Sequence, residues 1–173
     1  MKKLLQIISL FGLSIGSLSA KQKIVGQQAP LFQAQAVFPD GTVKEFDFKD
    51  YQGKRVVLYF YPMNNTPGCT KQAQQFRNDI ARLEKNNITL VGISCDSLAS
   101  HKQFQKEHRL PFILVSDSRF YRTISKLYHA AGWFYSKRKT FVIDKNRTII
   151  KVFDKVDIQH QVDDILQAYN NKK

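Results

Sequence analysis

The chain has two thiols, Cys69 and Cys95, and the residues around the first are spaced for chemistry. A thiol acts as a nucleophile when it is a thiolate, and its surroundings decide how much thiolate there is. Around Cys69 the sequence reads YFYPMNNTPGCTKQAQQF, residues 59–76. The run just before, residues 56–61, is apolar, rich in β-branched and aromatic side chains, and of strand length. Pro62 ends that strand, because proline has no N–H for a sheet ladder. A short polar loop follows, and then Pro67, which suits the first turn of a helix. Beyond Lys71, Ala73, Phe76, Ile80 and Leu83 share one helical face with polar residues between them. Cys69 is therefore expected in the first turn of a helix, at the carboxyl end of a core strand. Unpaired N–H groups and the positive end of the helix dipole favour a thiolate there. The hydroxyl of Thr66, three residues upstream, is placed to donate to the sulfur or to an oxygen bound beside it. On this context alone Cys69 reads equally as reactive or as a small buried hydrophobe.

The elements that must position it follow from the hydrophobic pattern. Residues 30–50 read as a hairpin: Phe32, Ala34 and Ala36 alternate with Gln33, Gln35 and Val37, Pro39-Asp40-Gly41 marks the turn, and Val43, Phe46 and Phe48 return. Residues 88–94, ITLVGIS, form a second buried strand, with Cys95 in the loop after it. Ser97 or Asp96 caps a helix over residues 98–108. A short strand over 112–115 precedes a helix with Phe120, Ile124, Leu127 and Tyr128 inward. Residues 130–136 make an irregular aromatic loop. A hairpin over 140–144 and 148–153 and a helix carrying Val162, Ile165, Leu166 and Tyr169 close the chain. Strands alternating with helices argue an α/β fold on a central mixed sheet. The unit from residue 56 to 94 should be right-handed, with its two strands parallel. Their carboxyl ends then share the sheet edge where open α/β folds bind ligands.

The spacing Pro62-x-x-x-Thr66-x-x-Cys69 resembles the active-site motif of the peroxiredoxins. The string TPGCT, residues 66–70, is similar to the peroxiredoxin Q, or bacterioferritin comigratory protein, subfamily. VGQQAP, VVLYFYP, VGIS, LPFILVSD and TFVID also look like family segments in family order. The resemblance covers nearly the whole chain beyond its first 20 residues. It implies a thioredoxin-like fold and a thiol-dependent peroxidase that reduces hydrogen peroxide and organic hydroperoxides through a Cys69 sulfenic acid. No metal or organic cofactor is implied. The partners would be the peroxide and an external thiol or thioredoxin-like reductant. Arg138 by itself is one of 27 basic residues. Within KRKTFVID it occupies the position of the family's active-site arginine, where a guanidinium would hold the thiolate and a peroxide oxygen. Lys139 is a weaker alternative, facing the other side of its strand. Pro62 would shield the sulfur from water. Many relatives carry a resolving cysteine five residues after the reactive one; here that position is Gln74, and the helix over 98–108 has no cysteine. Cys95 is the remaining candidate resolving cysteine, and a one-cysteine cycle is expected.

Composition bounds the rest. The chain's 173 residues suit one domain, and 43% apolar with 24% charged is ordinary for a globular protein. The net charge of +13 admits an acidic partner, nucleic acid or an anionic membrane surface. Scattered Lys and Arg with acids among them, and no nucleic-acid-binding motif, favour a solvated surface. Residues 1–20 have a basic start, an apolar run and small residues before a cleavage point at 19 or 20, the layout of a secretory signal peptide. Its removal takes Lys2 and Lys3 from the +13 and leaves +11. An exported, periplasmic monomer of residues 21–173 without a stable membrane anchor is expected. A thiol–disulfide oxidoreductase would need a second cysteine at position 72, which is Gln. A cysteine hydrolase would need a paired histidine, such as His101 or His129. The alternative from another class is a non-catalytic binding or holdase protein with a Cys69–Cys95 structural disulfide.

Overall fold

The computed structural model describes residues 24–118 and 120–171. The expected leader and its cleavage point lie outside the described residues. The hairpin is β1 (Gln33–Val37) and β2 (Val43–Asp47), joined through the Pro39-Asp40-Gly41 turn. Then come β3 (Arg55–Phe60), α1 (Pro67–Asn78), α2 (Ile80–Lys85), β4 (Ile88–Ser94) and α3 (Leu98–His108). β5 (Ile113–Ser116), α4 (Thr123–Leu127), β6 (Lys139–Ile143), β7 (Ile149–Phe153) and α5 (Gln161–Asn170) complete the order. Seven strands form one mixed sheet, β2-β1-β5-β4-β3-β6-β7. β3, β4 and β5 run parallel, and β1, β6 and β7 pair antiparallel to their neighbours. This is the thioredoxin-like arrangement that the peroxiredoxin resemblance implies.

Side chains alternate across the central strands, and both faces are buried. Leu58, Phe60, Val91 and Ile93 turn toward Phe46, Phe48 and Tyr128. Val57, Tyr59, Leu90 and Leu114 turn toward the helical layer, where α1 supplies Ala73 and Phe76, α3 Phe104, and α5 Val162 and Ile165. Phe76 is fully buried; its truncation to alanine would cost about 3–5 kcal/mol, so α1 has one seat on the sheet. The Tyr169 hydroxyl lies 3.0 and 2.8 Å from the carbonyls of Val56 and Ile143. This contact fastens α5 across β3 and β6, beside α1.

Two expectations need correction. The helix after Cys69 breaks at Asp79, whose N–H caps α1 by bonding back to Gln75 and Arg77 carbonyls. The helix after β5 is a single turn and a half, not a long amphipathic one. Ile124 and Tyr128 are inward as expected, but Phe120 and Leu127 are exposed. Arg122 in the left-handed region starts α4 late, so Phe120 never joins its inner face.

Candidate active site

Cys69 is the third residue of α1, after Pro67 and Gly68, with Thr66 as N-cap. The first intrahelical bond runs from the Thr70 N–H to the Thr66 carbonyl, 2.8 Å. The N–H groups of Gly68 and Cys69 precede it and have no helical acceptor. Cys69 is buried, and Pro62, Met63, Thr66 and Gly68 of the loop and turn that precede it are half-exposed. β6 runs antiparallel to β3, with Lys139 opposite Phe60, so the residue before β6 arrives at the same edge as the Cys69 turn. That residue is Arg138. Its Nη2 donates to Cys69 Sγ at 3.2 Å. A charged donor at this distance makes a charge-assisted hydrogen bond to a thiolate. Lys139 points away and pairs with Asp154 at 2.6 Å.

The arginine is itself held. Its Nη1 donates to the side-chain oxygen of Gln72, one helical turn beyond Cys69. Gln72 is fully buried, and its Nε2 donates to Gln161 Oε1 at 3.0 Å. Gln161, the first residue of α5, returns a bond from its Nε2 to the Gln72 carbonyl at 3.2 Å. The string Cys69–Arg138–Gln72–Gln161 thus ties the reacting sulfur to three elements. Gly68 completes the cradle, since a Cβ there would sit 3.3 Å from Arg138 Nη2.

The loop over residues 62–66 has its own fastening. The Asn64 N–H donates to the Asp96 carboxylate at 2.9 Å, and the Tyr61 hydroxyl donates to Asn64 Oδ1 at 2.8 Å. Asn64 Nδ2 reaches Ser100 Oγ at 2.9 Å and lies 3.2 Å from His101 Nδ1. The Thr66 hydroxyl donates to the Met63 carbonyl at 3.0 Å. Here the structure departs from expectation: the Thr66 proton closes the loop rather than reaching the sulfur, and its oxygen is left as an acceptor. Burial pushes His101 down to about 4 despite the nearby Asp96, so the imidazole in this cluster is neutral at pH 7. Tyr59 lies under the site, its buried hydroxyl without a partner among the described residues.

Cys95 stands apart. Side chains along β4 alternate, so Cys95 continues the row of Val91 and Ile93, on the face away from α1. Its sulfur lies 3.6 Å from Ser136 Oγ, which in turn pairs with Ser125 of α4 at 2.7 Å. Burial pushes the Cys95 thiol up, which keeps it protonated. Cys69 and Cys95 are both free; they share a sheet edge but occupy opposite faces.

Arg138 therefore meets Cys69, Thr66 caps the Cys69 helix with its hydroxyl turned to the Met63 carbonyl, Pro62 stands between β3 and that loop, and Cys95 lies elsewhere. Sequence reasoning passed over Gln72, Gln161, Asn64, Asp96 and Gly68. Gln72 carried a signal, since three residues on is the same helix face as Cys69. Gln161 carried none, being 89 residues from its partner.

The AhpC/TSA family profile matches residues 25–152. Peroxiredoxin Bcp of Bacillus subtilis is 36% identical over 150 residues, covering 83% of this chain and 93% of its own. Peroxiredoxin Q of Gentiana triflora chloroplasts is 38% identical over 127 residues, covering 69% of this chain and 58% of its own. Among solved structures, peroxidoxin BcpB of Mycobacterium tuberculosis superposes with a TM-score of 0.74 at 27% identity, over 86% of this chain and 97% of that one. The reduced 2-Cys peroxiredoxin of Plasmodium vivax gives a TM-score of 0.74 at 28% identity, over 86% and 99%.

Proposed function

We infer that Cys69 is the attacking residue of this chain, which belongs to the AhpC/TSA family and is a thiol-dependent peroxidase. The observation that carries the assignment is the Arg138 guanidinium 3.2 Å from the sulfur. The substrates are hydrogen peroxide and organic hydroperoxides. The Cys69 thiolate attacks the terminal oxygen of ROOH along the O–O bond. An S–O bond forms and the O–O bond breaks. Sulfur loses two electrons and becomes the sulfenic acid, and RO⁻ leaves and takes up a proton. Negative charge spreads over sulfur and both oxygens in the transition state, so fixed donors stabilise it. Arg138 and the free N–H groups of the first turn of α1 serve as those donors. The Thr66 oxygen accepts from the peroxide O–H, and Pro62 keeps water off the sulfur.

Turnover needs a reductant. An external thiol attacks the sulfenic acid, releasing water and leaving a mixed disulfide, and a second thiol restores Cys69. Cys95 is not part of this cycle; its placement on the opposite face and its protonated state support a one-cysteine enzyme. A disulfide needs Cα atoms within about 7 Å and side chains that face each other. A thioredoxin-like protein is the reductant that fits, and the enzyme works as a monomer. The N-terminal layout supports export to the periplasm; N-terminal sequencing of the cellular protein should find a start at residue 20 or 21, and an intact Met1 on cytosolic protein would refute export.

The test of the cycle is intact-mass analysis after one equivalent of peroxide without reductant. The expected product is a monomer heavier by one oxygen, in wild type and in Cys95→Ser alike. A loss of two hydrogens, with a Cys69–Cys95 peptide that vanishes in Cys95→Ser, would replace the one-cysteine reading by a two-cysteine one.

A further inference from the structure

The sheet edge that carries Cys69 also carries a surface the peroxidase chemistry does not use. Phe120, Tyr121, Leu127, Trp133 and Phe134 are all exposed within one stretch of the chain. Tyr135 of the same stretch is exposed at its edge, and the other exposed large apolar residues among those described, Val25, Leu31 and Val43, are dispersed near the N-terminal end. Phe120 is 88% and Trp133 86% exposed, so both rings protrude, Phe120 from the rim of an open depression that it shares with Cys95 and Leu98. They are held out by structure. Arg122 Nη1 lies 2.6 Å from the carbonyls of both Gly132 and Trp133, which joins the Phe120 turn to the Trp133 loop. That loop is closed by the Gly132 N–H on the Tyr135 carbonyl, 2.8 Å, and the Lys137 N–H on the Ala130 carbonyl, 2.7 Å. A side chain at Gly132 would place its Cβ 2.5 Å from the Tyr135 oxygen, so the turn admits only glycine.

Charge singles out the same surface. Residues 118–143 contain no Asp or Glu, and six basic residues: Arg119, Arg122, Lys126, Lys137, Arg138 and Lys139. Arg122, Arg138 and Lys139 are engaged by the loop, by Cys69 and by Asp154. Lys126 and Lys137 are exposed and make no ion pair among the described residues. Of the nearby acids, Asp117 and Asp96 face inward, accepting from the Ile124 and Ser125 N–H groups and from Asn64, and the exposed Asp154 is taken up by Lys139. The basic residues are therefore not evenly mixed with acids, as the composition alone suggests.

We propose that this surface docks the protein reversibly on an anionic phospholipid bilayer. Protruding aromatic rings need a soft, apolar-to-polar boundary and no shaped pocket, which is what the headgroup region offers Trp, Tyr and Phe. The exposed Lys126 and Lys137 of the same stretch are drawn to anionic headgroups. A second copy fits less well, because an isologous two-fold contact would bring two basic stretches that carry no acid against each other. Nucleic acid offers charge, but base stacking uses a groove that tracks the strand. Phe134 is four residues from Arg138, at most about 14 Å of extended chain, so docking brings the Cys69 edge to the lipid. The docking itself does not depend on the peroxidase reading. Its consequence, access to hydroperoxides of membrane lipids, does.

Trp133 is the chain's single tryptophan, so its emission reports on this surface alone. The full chain is mixed with vesicles of phosphatidylcholine containing phosphatidylglycerol, and separately with phosphatidylcholine alone. The expected result is a blue shift and quenching by brominated acyl chains with the anionic vesicles only, abolished by high salt. The variant Lys126→Glu/Phe120→Ser should need at least about tenfold more anionic lipid and should reduce peroxide in free solution at the wild-type rate. Emission that ignores anionic vesicles, or responds equally to the neutral ones, overturns the proposal. A shift that tracks protein concentration without lipid would assign the surface to a second copy. A shift with single-stranded oligonucleotide but not vesicles would assign it to nucleic acid. Loss of peroxide reduction in lipid-free wild type would refute the peroxidase reading and leave the docking result standing.

Discussion

Gln72→Leu should slow peroxide reduction without touching the reacting atoms. Leucine fills the same buried space but removes the acceptor that fixes Arg138 Nη1. It also leaves Gln161 Oε1 without its donor in a buried site. The orphaned oxygen costs about 1–3 kcal/mol of stability, and apolar burial by leucine offsets part of it. The kinetic loss can be bounded from above by Arg138→Ala. Removing a fixed donor at a developing charge slows an enzyme by roughly 10²–10³. Gln72→Leu leaves the guanidinium present but free to turn, so its loss should be smaller, about tenfold to a hundredfold, or about 1.4–2.7 kcal/mol of barrier. The assay is single-turnover stopped-flow oxidation by hydrogen peroxide, with each variant's fold verified by circular dichroism. If Gln72 acts through Arg138, adding Gln72→Leu to Arg138→Ala should cost little more, since the two changes remove one interaction. Additive losses, or a folded Gln72→Leu enzyme at the wild-type rate, would refute the reasoning.

Gly68→Ala should separate stability from activity: alanine is the better helix former by up to about 1 kcal/mol, yet its Cβ would crowd Arg138 Nη2 at 3.3 Å. A raised or unchanged melting temperature with a slower peroxide step is expected, and an unchanged rate would show that the guanidinium has room to shift. His101 should make stability depend on pH. Its folded value of about 4 lies below the ordinary 6.5, so the unfolded chain binds a proton that the folded chain refuses. Its contribution is therefore complete above pH 6.5 and falls as pH drops toward 4, by up to roughly 3 kcal/mol. Urea titrations should show this slope in wild type and a flatter one in His101→Gln; equal slopes would place the proton elsewhere. Asn64→Ala should cost about 1–3 kcal/mol by stranding the partners of the loop and should slow peroxide reduction as well; denaturation and kinetics together test whether the loop needs that anchor.

The sequence made the strands legible because their apolar runs are short, β-rich and bounded by proline, glycine and asparagine. β4, with ITLVGIS, and α3, with its Ser97 cap, fall where those signals put them. The local half of the site was legible for the same reason: Pro62, Thr66, Pro67 and Cys69 form one strand–loop–helix unit. Arg138 was visible only through a family resemblance, because nothing local sets it apart among 27 basic residues. What failed was long-range or conformational. Gln161 meets Gln72 only because α5 docks beside α1, and Asn64 meets Asp96 only because β3 and β4 are neighbours. Phe120 was assigned to the core by periodicity, which cannot see that Arg122 adopts a left-handed backbone and delays the helix. Cys95 was placed on the right edge, but the face it occupies depends on the count of residues along β4.

The central claim is that the Cys69 thiolate, held by Arg138, reduces the peroxide. Its most direct measurement is the second-order rate of hydrogen peroxide consumption by wild type, Cys69→Ser, Arg138→Ala and Cys95→Ser under identical reductant. Complete loss in Cys69→Ser, a loss of roughly 10²–10³ in Arg138→Ala and the wild-type rate in Cys95→Ser are predicted. Wild-type consumption by Cys69→Ser, or equal loss in Cys95→Ser, would contradict the account.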